Sequence, residues 1–222
     1  MLTLINQGQY QVVLMLIIAL VLSLSAHEFG HAIVAKWNGD RTAEQQGRLT
    51  LNPIAHIDVM GLLMVILVGF GYAKPVPTNP ANFTSRFSTL WVAGAGPFMN
   101  LLVAVVVWNA YLLLFANGMA TPGVAAFCEF LARINLLLML FNLIPLGPLD
   151  GHYILPYFLP RQLAYQYQVF NARHGTIIFL AIIVLSILGL PVLSWIFTVS
   201  TWLLDAITLF APTPVRCVGA GC

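Results

Sequence analysis

The chain has 222 residues, of which 60% are hydrophobic and only 7% charged, and its mean hydropathy is +0.91. A water-soluble domain of this size cannot hide that much apolar surface, so the composition excludes one and predicts a polytopic membrane protein. The net charge of +2 arises from nine Lys and Arg against seven Asp and Glu. Those basic residues are scattered over loops, which argues against nucleic acid as a partner.

The length suits a single integral-membrane domain over residues 1–222. The opening "MLTLINQGQYQ" has no basic residue before its apolar run and no small-residue cleavage site follows, so it reads as a retained first span rather than a removed signal. Residues 12–35 would rise about 36 Å as a helix, enough to cross a bilayer. Residues 47–73 are harder to place. The stretch "GRLTL" alternates polar and apolar residues as a strand does. Met60 to Tyr72 would make a helix of only about 20 Å, short of the roughly 30 Å hydrocarbon core. The expectation is a re-entrant segment of strands and turns at the membrane edge, with its backbone covered by protein or lining a cavity.

Residues 91–116 and 124–146 read as further spans, the latter with Glu129 and Arg133 spaced i,i+4 so that they pair. Residues 177–210 hold Gly189 and Pro191 near their centre and fit either one kinked helix or a helical hairpin. The expected fold is thus an all-α polytopic membrane protein: a three-helix catalytic core, a re-entrant β/turn segment between its first and second helices, and a C-terminal membrane helix or hairpin. Cys128 lies in an apolar segment and Cys217 and Cys222 in a tail, which argues against a disulfide framework and leaves a tail disulfide open.

Charge supports this topology. If Met60 to Tyr72 does not span, then Lys36, Arg41, Arg48, Lys74, Arg86, Arg161 and Arg173 share one side, while the loop 117–123 has no basic residue. By the positive-inside rule the basic side is cytoplasmic.

Within the first span lies "HEFGH", His27 to His31. On a helix, His27 and His31 project from one face and converge on one metal ion, with Glu28 beside it. Zinc accepts neutral His nitrogen, and a catalytic zinc takes three protein ligands and leaves a position for water. Glu28 would then be the general base toward that water. Each ionised group within a span costs on the order of 2.5–3.5 kcal/mol, so three together call for a compensating partner, and a metal is the simplest. For the third ligand the candidates are Asp40, Glu44, His56, Asp58, Glu129, Asp150, His152, His174 and Asp205. With three core spans, the third ends near the level of His31, and its end reads "FNLIPLGPLDGHY". Asp150 is therefore at the right depth.

The pairing of "HEFGH" with "NLIPLGPLDG" resembles the site-2 protease family of intramembrane zinc metalloproteases. "LNPIAHID" at 51–58, "GYAKPVPTNPANF" at 71–83 and "AGPFMN" at 95–100 fit the same family in the same order. The similarity runs over about residues 25–151, in a compact member without the PDZ or CBS module that many relatives carry. It implies one Zn2+ per chain held by His27, His31 and Asp150, with Glu28 catalytic. It also implies that Asn142 helps to hold substrate or the oxyanion, and that His56 lies in the re-entrant region near the site, where closing a turn is an equally good reading. Asn100 reads as a helix-packing residue, His152 as an interfacial or outer residue and His174 as structural. The expected function is cleavage in or near transmembrane segments of membrane-anchored proteins at the cytoplasmic membrane of a prokaryote. The alternative is a membrane metal transporter using His27, His31 and Asp150.

Overall fold

The computed structural model describes residues 2–68, 71 and 73–210; Cys217 and Cys222 lie outside them. After a short helix α1 (Leu2–Asn6) comes α2 (Tyr10–Trp37), which carries HEFGH, and then the one-turn α3 (Thr42–Gln45). Next are a 3-10 turn at Pro53–Ala55 and helix α4 (Val59–Val68). Two long helices follow, α5 (Ser88–Ala116) and α6 (Pro122–Asn142), and then the one-turn α7 (Gly151–Ile154). Helix α8 (Arg161–Phe170) runs through a π turn at Asn171–Gly175 into α9 (Thr176–Ile187), and α10 (Ser194–Ala206) closes the described chain. Among the described residues, four helical stretches are long and apolar enough to cross a membrane: Tyr10–Trp37, Ser88–Ala116, Pro122–Asn142 and Arg161–Ile187.

Helices α2, α5 and α6 pack against one another, and α10 packs against α6. Close approach of α2 and α5 depends on small residues: a Cβ at Gly30 would fall 2.7 Å from Ala95 O. In an apolar surround, where hydrophobicity gives helices no reason to associate, such close backbone contact and buried polar bonds hold a bundle together. Here the polar bonds come from three residues on three helices. Asn100 Nδ2 donates to Ser23 O and to Asn135 Oδ1 (3.1 and 2.8 Å), while Asn135 Nδ2 donates to Ser23 Oγ (2.7 Å). All three are fully buried, so each donor and acceptor has to be matched within the protein. Near the other end of α5, Trp108 Nε1 donates to Thr208 Oγ1, and Asn109 both donates to Ile207 O and accepts from Leu209 N. These bonds tie the end of α10 to the bundle. The Glu129–Arg133 pair forms as expected, at 2.9 Å.

The strand reading of residues 47–73 is overturned: no strand occurs among the described residues, and Val59–Val68 is helical. Ten apolar residues satisfy their own backbone as a helix, whereas a short strand would leave an edge unpaired in lipid. The signal for the helix is Asp58, whose Oδ1 accepts from Gly61 N (2.8 Å) and whose carbonyl accepts from Leu62 N (2.9 Å), as an N-cap residue does. The third span ends at Asn142, not at residue 146. Beyond it, Pro145 and Pro148 disfavour helix for the residues before them, and Leu143–Asp150 forms turns. Of the two options for residues 177–210, two helices are found, separated by a turn at 188–193 in which Gly189 takes φ +89°. The first of them begins far upstream, because the more polar Arg161–Phe170 is continuous with it.

From Ala73 to Asn82 the chain forms a strap between α4 and α5. Pro75, Pro77 and Pro80 push Lys74, Val76 and Asn79 toward extended backbone. Lys74 N donates to His56 O (2.9 Å), and the buried Arg48 donates through Nη2 to Lys74 O (2.5 Å). At the far end Asp40, fully buried, accepts from Asn79 N (2.6 Å), Asn82 Nδ2 (2.9 Å) and Thr42 N (3.1 Å). Burial alone would raise the Asp40 carboxyl, but the bonds from Thr42, Asn79 and Asn82 outweigh it and hold its pKa below the usual value.

Candidate metal centre

The helical i,i+4 spacing brings His27 and His31 together on one face of α2, with their Nε2 atoms 3.0 Å apart. The turn after α6 carries Asp150 to the same point, its Oδ2 lying 3.2 Å from His27 Nε2 and 3.4 Å from His31 Nε2. Donors about 2.0–2.2 Å from a tetrahedral zinc stand about 3.3–3.6 Å from one another, so these three atoms nearly form one face of such a tetrahedron. Asp150 Oδ2 is buried and has no hydrogen-bond partner, an arrangement that costs free energy unless a cation completes it.

The other imidazole nitrogens fix the histidines' proton positions. His31 Nδ1 lies 2.7 Å from Val92 O, an acceptor only, so Nδ1 carries the proton there. His27 Nδ1 lies 2.6 Å from Asn100 Oδ1, whose amide nitrogen is already committed to Ser23 and Asn135, so Nδ1 donates here as well. Both Nε2 lone pairs are thereby turned toward Asp150. This outer arrangement sets tautomer and ring direction at metal sites. Gly96 leaves room for the rings, since a Cβ there would fall 2.6 Å from His27 Nε2. The donor set, the orphaned carboxylate oxygen and the gap at Gly96 all fit zinc.

Glu28 is buried, and its Oε2 accepts from Val76 N of the strap at 2.7 Å. Among the described residues, only His27, His31 and Asp150 form a group able to hold a metal ion. The remaining candidates have other partners. His56 is buried with Nε2 against Thr50 O (2.8 Å) and Nδ1 unpartnered. Asn142, at the end of α6, donates through Nδ2 to Leu138 O (2.9 Å). His152 Nδ1 lies 2.8 Å from Leu149 O, and His174 Nδ1 3.3 Å from Phe170 O. Glu44 pairs with Lys36 at 2.5 Å. Asn100, expected to serve helix packing, also orients His27. Asn135 gives no signal in the sequence beyond being an asparagine inside an apolar span, which is itself a reason to look for a polar partner.

Comparison with known proteins agrees with this geometry. The model of Peptidase family M50 matches residues 15–118 and 111–185. "Putative zinc metalloprotease YwhC" of Bacillus subtilis (strain 168) is 42% identical over 151 residues, covering 65% of this chain and 69% of that protein. "Putative zinc metalloprotease Rip2" of Mycobacterium tuberculosis (strain ATCC 25618 / H37Rv) is 34% identical over 204 residues, 87% of this chain and 74% of that protein. From the same strain, "Putative zinc metalloprotease Rip3" is 31% identical over 173 residues, 77% of this chain and 38% of that protein. No solved structure matches. With apolar helices, a three-donor metal group and these relatives together, the chain belongs to Peptidase family M50, the site-2 proteases, and is an integral-membrane zinc metalloprotease.

Proposed function

We propose that the protein is an intramembrane endopeptidase that cleaves membrane-anchored proteins in or near their transmembrane segments, with Glu28 as general base. The observation that carries the reading is the buried, unpartnered Asp150 Oδ2 facing two Nε2 lone pairs inside an apolar bundle, with Glu28 next to His27 on the same helix. His27, His31 and Asp150 would hold the zinc, which when bound supplies Lewis acidity toward a water and toward a peptide carbonyl. Glu28 takes the proton from that water and delivers it to the departing amine. The Val76 N–H engages Oε2 and leaves Oε1 of Glu28 to take that proton. Asn142, released from Leu138 O, would offer its amide to the substrate carbonyl. His56 has a free Nδ1 but is tied to Thr50, which favours a structural part in seating the strap through its carbonyl.

A helical substrate hides its carbonyls in its own hydrogen bonds and must unwind locally before attack. Helix α4, at ten residues about 15 Å long, is too short to span and fits a re-entrant element at the membrane edge. The basic loops favour a site toward the cytoplasmic face of a prokaryotic cytoplasmic membrane. Relatives named as metalloproteases lend no weight to the transporter reading.

The test is Glu28→Gln. We expect it to keep about one zinc per chain while cleavage of a membrane-anchored reporter falls by about 10²–10⁴-fold. Retained cleavage, or metal flux across vesicles without cleavage, would overturn the proposal.

A further inference from the structure

The Asp150 ligand stands on a turn closed by backbone bonds, Leu146 N to Ile144 O (2.8 Å), Leu149 N to Leu146 O (2.9 Å) and Tyr153 N to Asp150 O (2.9 Å). Its Oδ2 makes no hydrogen bond, so the direction of the carboxylate is set by the backbone of residues 143–150. Between Leu146 and Leu149 that backbone has one donor, the Gly147 N–H, because Pro148 has none. Gly147 N donates to Asn171 Oδ1 at 2.9 Å. Asn171 is 6% exposed and opens the π turn at 171–175 that joins α8 to α9. Its amide fills a slot between two glycines: a Cβ at Gly147 would fall 2.8 Å from Asn171 Nδ2, and one at Gly175 would collide with Asn171 Oδ1. Four residues earlier on the same helix face, Tyr167 OH donates to Pro145 O at 2.8 Å. On the other side of Asp150, Gly151 permits close passage beneath Leu143 O and Ile144 O, where a Cβ has no room.

We propose that Asn171, seconded by Tyr167, is a positioning residue for the metal ligand Asp150, so that the fourth spanning helix is part of the metal centre without touching the metal. The π turn serves this purpose. It inserts one residue into the helix, and such insertions are frequent where a helix presents a side chain for function. Here it turns the residue-171 amide toward Gly147 and puts Gly175, which has no side chain, behind it. The inference rests on the reading of Asp150 as a zinc ligand.

The experiment compares purified, detergent-solubilised wild type with Asn171→Ala, Asn171→Asp, Tyr167→Phe and Asp150→Ala. Each is measured for zinc affinity by chelator competition, for the visible spectrum of the cobalt-substituted protein and for Tm. Outer partners of metal ligands are typically worth about 10–100-fold in metal affinity. We therefore expect Asn171→Ala to weaken zinc about tenfold or more and to move its cobalt spectrum toward that of Asp150→Ala. Asn171→Asp, which keeps the acceptor oxygen, should recover much of the loss. Tyr167→Phe, a mild change that leaves the fold intact, should shift affinity about two- to threefold in the same direction, and it decides the matter if Asn171→Ala does not fold. Wild-type affinity and spectrum in Asn171→Ala, or a lowered Tm with both unchanged, would overturn the proposal. So would an unaltered Tyr167→Phe where Asn171→Ala is unfolded. If Asp150→Ala itself bound zinc as wild type does, it is the ligand assignment that fails.

Discussion

Asn100 shows how little of a metal centre is visible in its ligands. Its Oδ1 accepts from His27 Nδ1 and its amide nitrogen is committed to Ser23 and Asn135, so the ring of His27 is set by residues on three helices. Asn100→Ala should lower zinc affinity by about 10–100-fold, measured by chelator competition; an unchanged affinity would show that the ligands position themselves. In the sequence, His27, Glu28 and His31 declare themselves because three ionisable groups at helical spacing inside an apolar run cost too much to be accidental. Asp150 is reached through topology, since the number of preceding spans fixes its side and depth. Asn100, Asn135 and Asn171 cannot be assigned in the same way. A lone asparagine has no partner at a fixed spacing along the chain, and its role depends on which helix faces meet.

At the level of elements, the long apolar runs reveal the helices, and the strap is the surprise. The segment 47–73 misleads because five alternating residues imitate a strand, while the cue for α4, an acidic cap ahead of ten apolar residues, is a single side chain. Asp40 makes the strap testable. Its folded pKa is depressed, so its contribution to stability is present above its unfolded value of about 3.9 and is lost as the pH falls through the lower folded value. Hydrogen bonds to a buried charge are worth about 1.5–3 kcal/mol each and are not additive. We expect Asp40→Ala at neutral pH to speed amide exchange at Asn79 and its neighbours by about tenfold or more. That difference from wild type should shrink as the pH drops below about 4. Equal exchange at neutral pH would mean that the strap is held elsewhere.

For the whole molecule, the arrangement of spans makes a prediction independent of the chemistry. The proposed topology, with α4 not spanning, puts the loop 117–123 and the loop after α2 on opposite faces of the membrane. In a background carrying Cys128→Ser, Cys217→Ser and Cys222→Ser, Met119→Cys should react with an impermeant thiol reagent from outside the cell, and Arg41→Cys only after permeabilisation. Both positions are exposed. Labelling of both from one side would break the topology that brings Asp150 to the histidines. The strap also bears on how copies of the protein behave in a crowded membrane. Lys74 and Val76 point their N–H groups inward, to His56 O and Glu28. Along an extended chain the opposite edge would take its donors from residues 75 and 77, and both are proline. At residues 75 and 77 that edge therefore offers a neighbour no N–H to pair with, so an open backbone beside the buried Glu28 carboxylate is kept from seeding sheet growth from one molecule to the next.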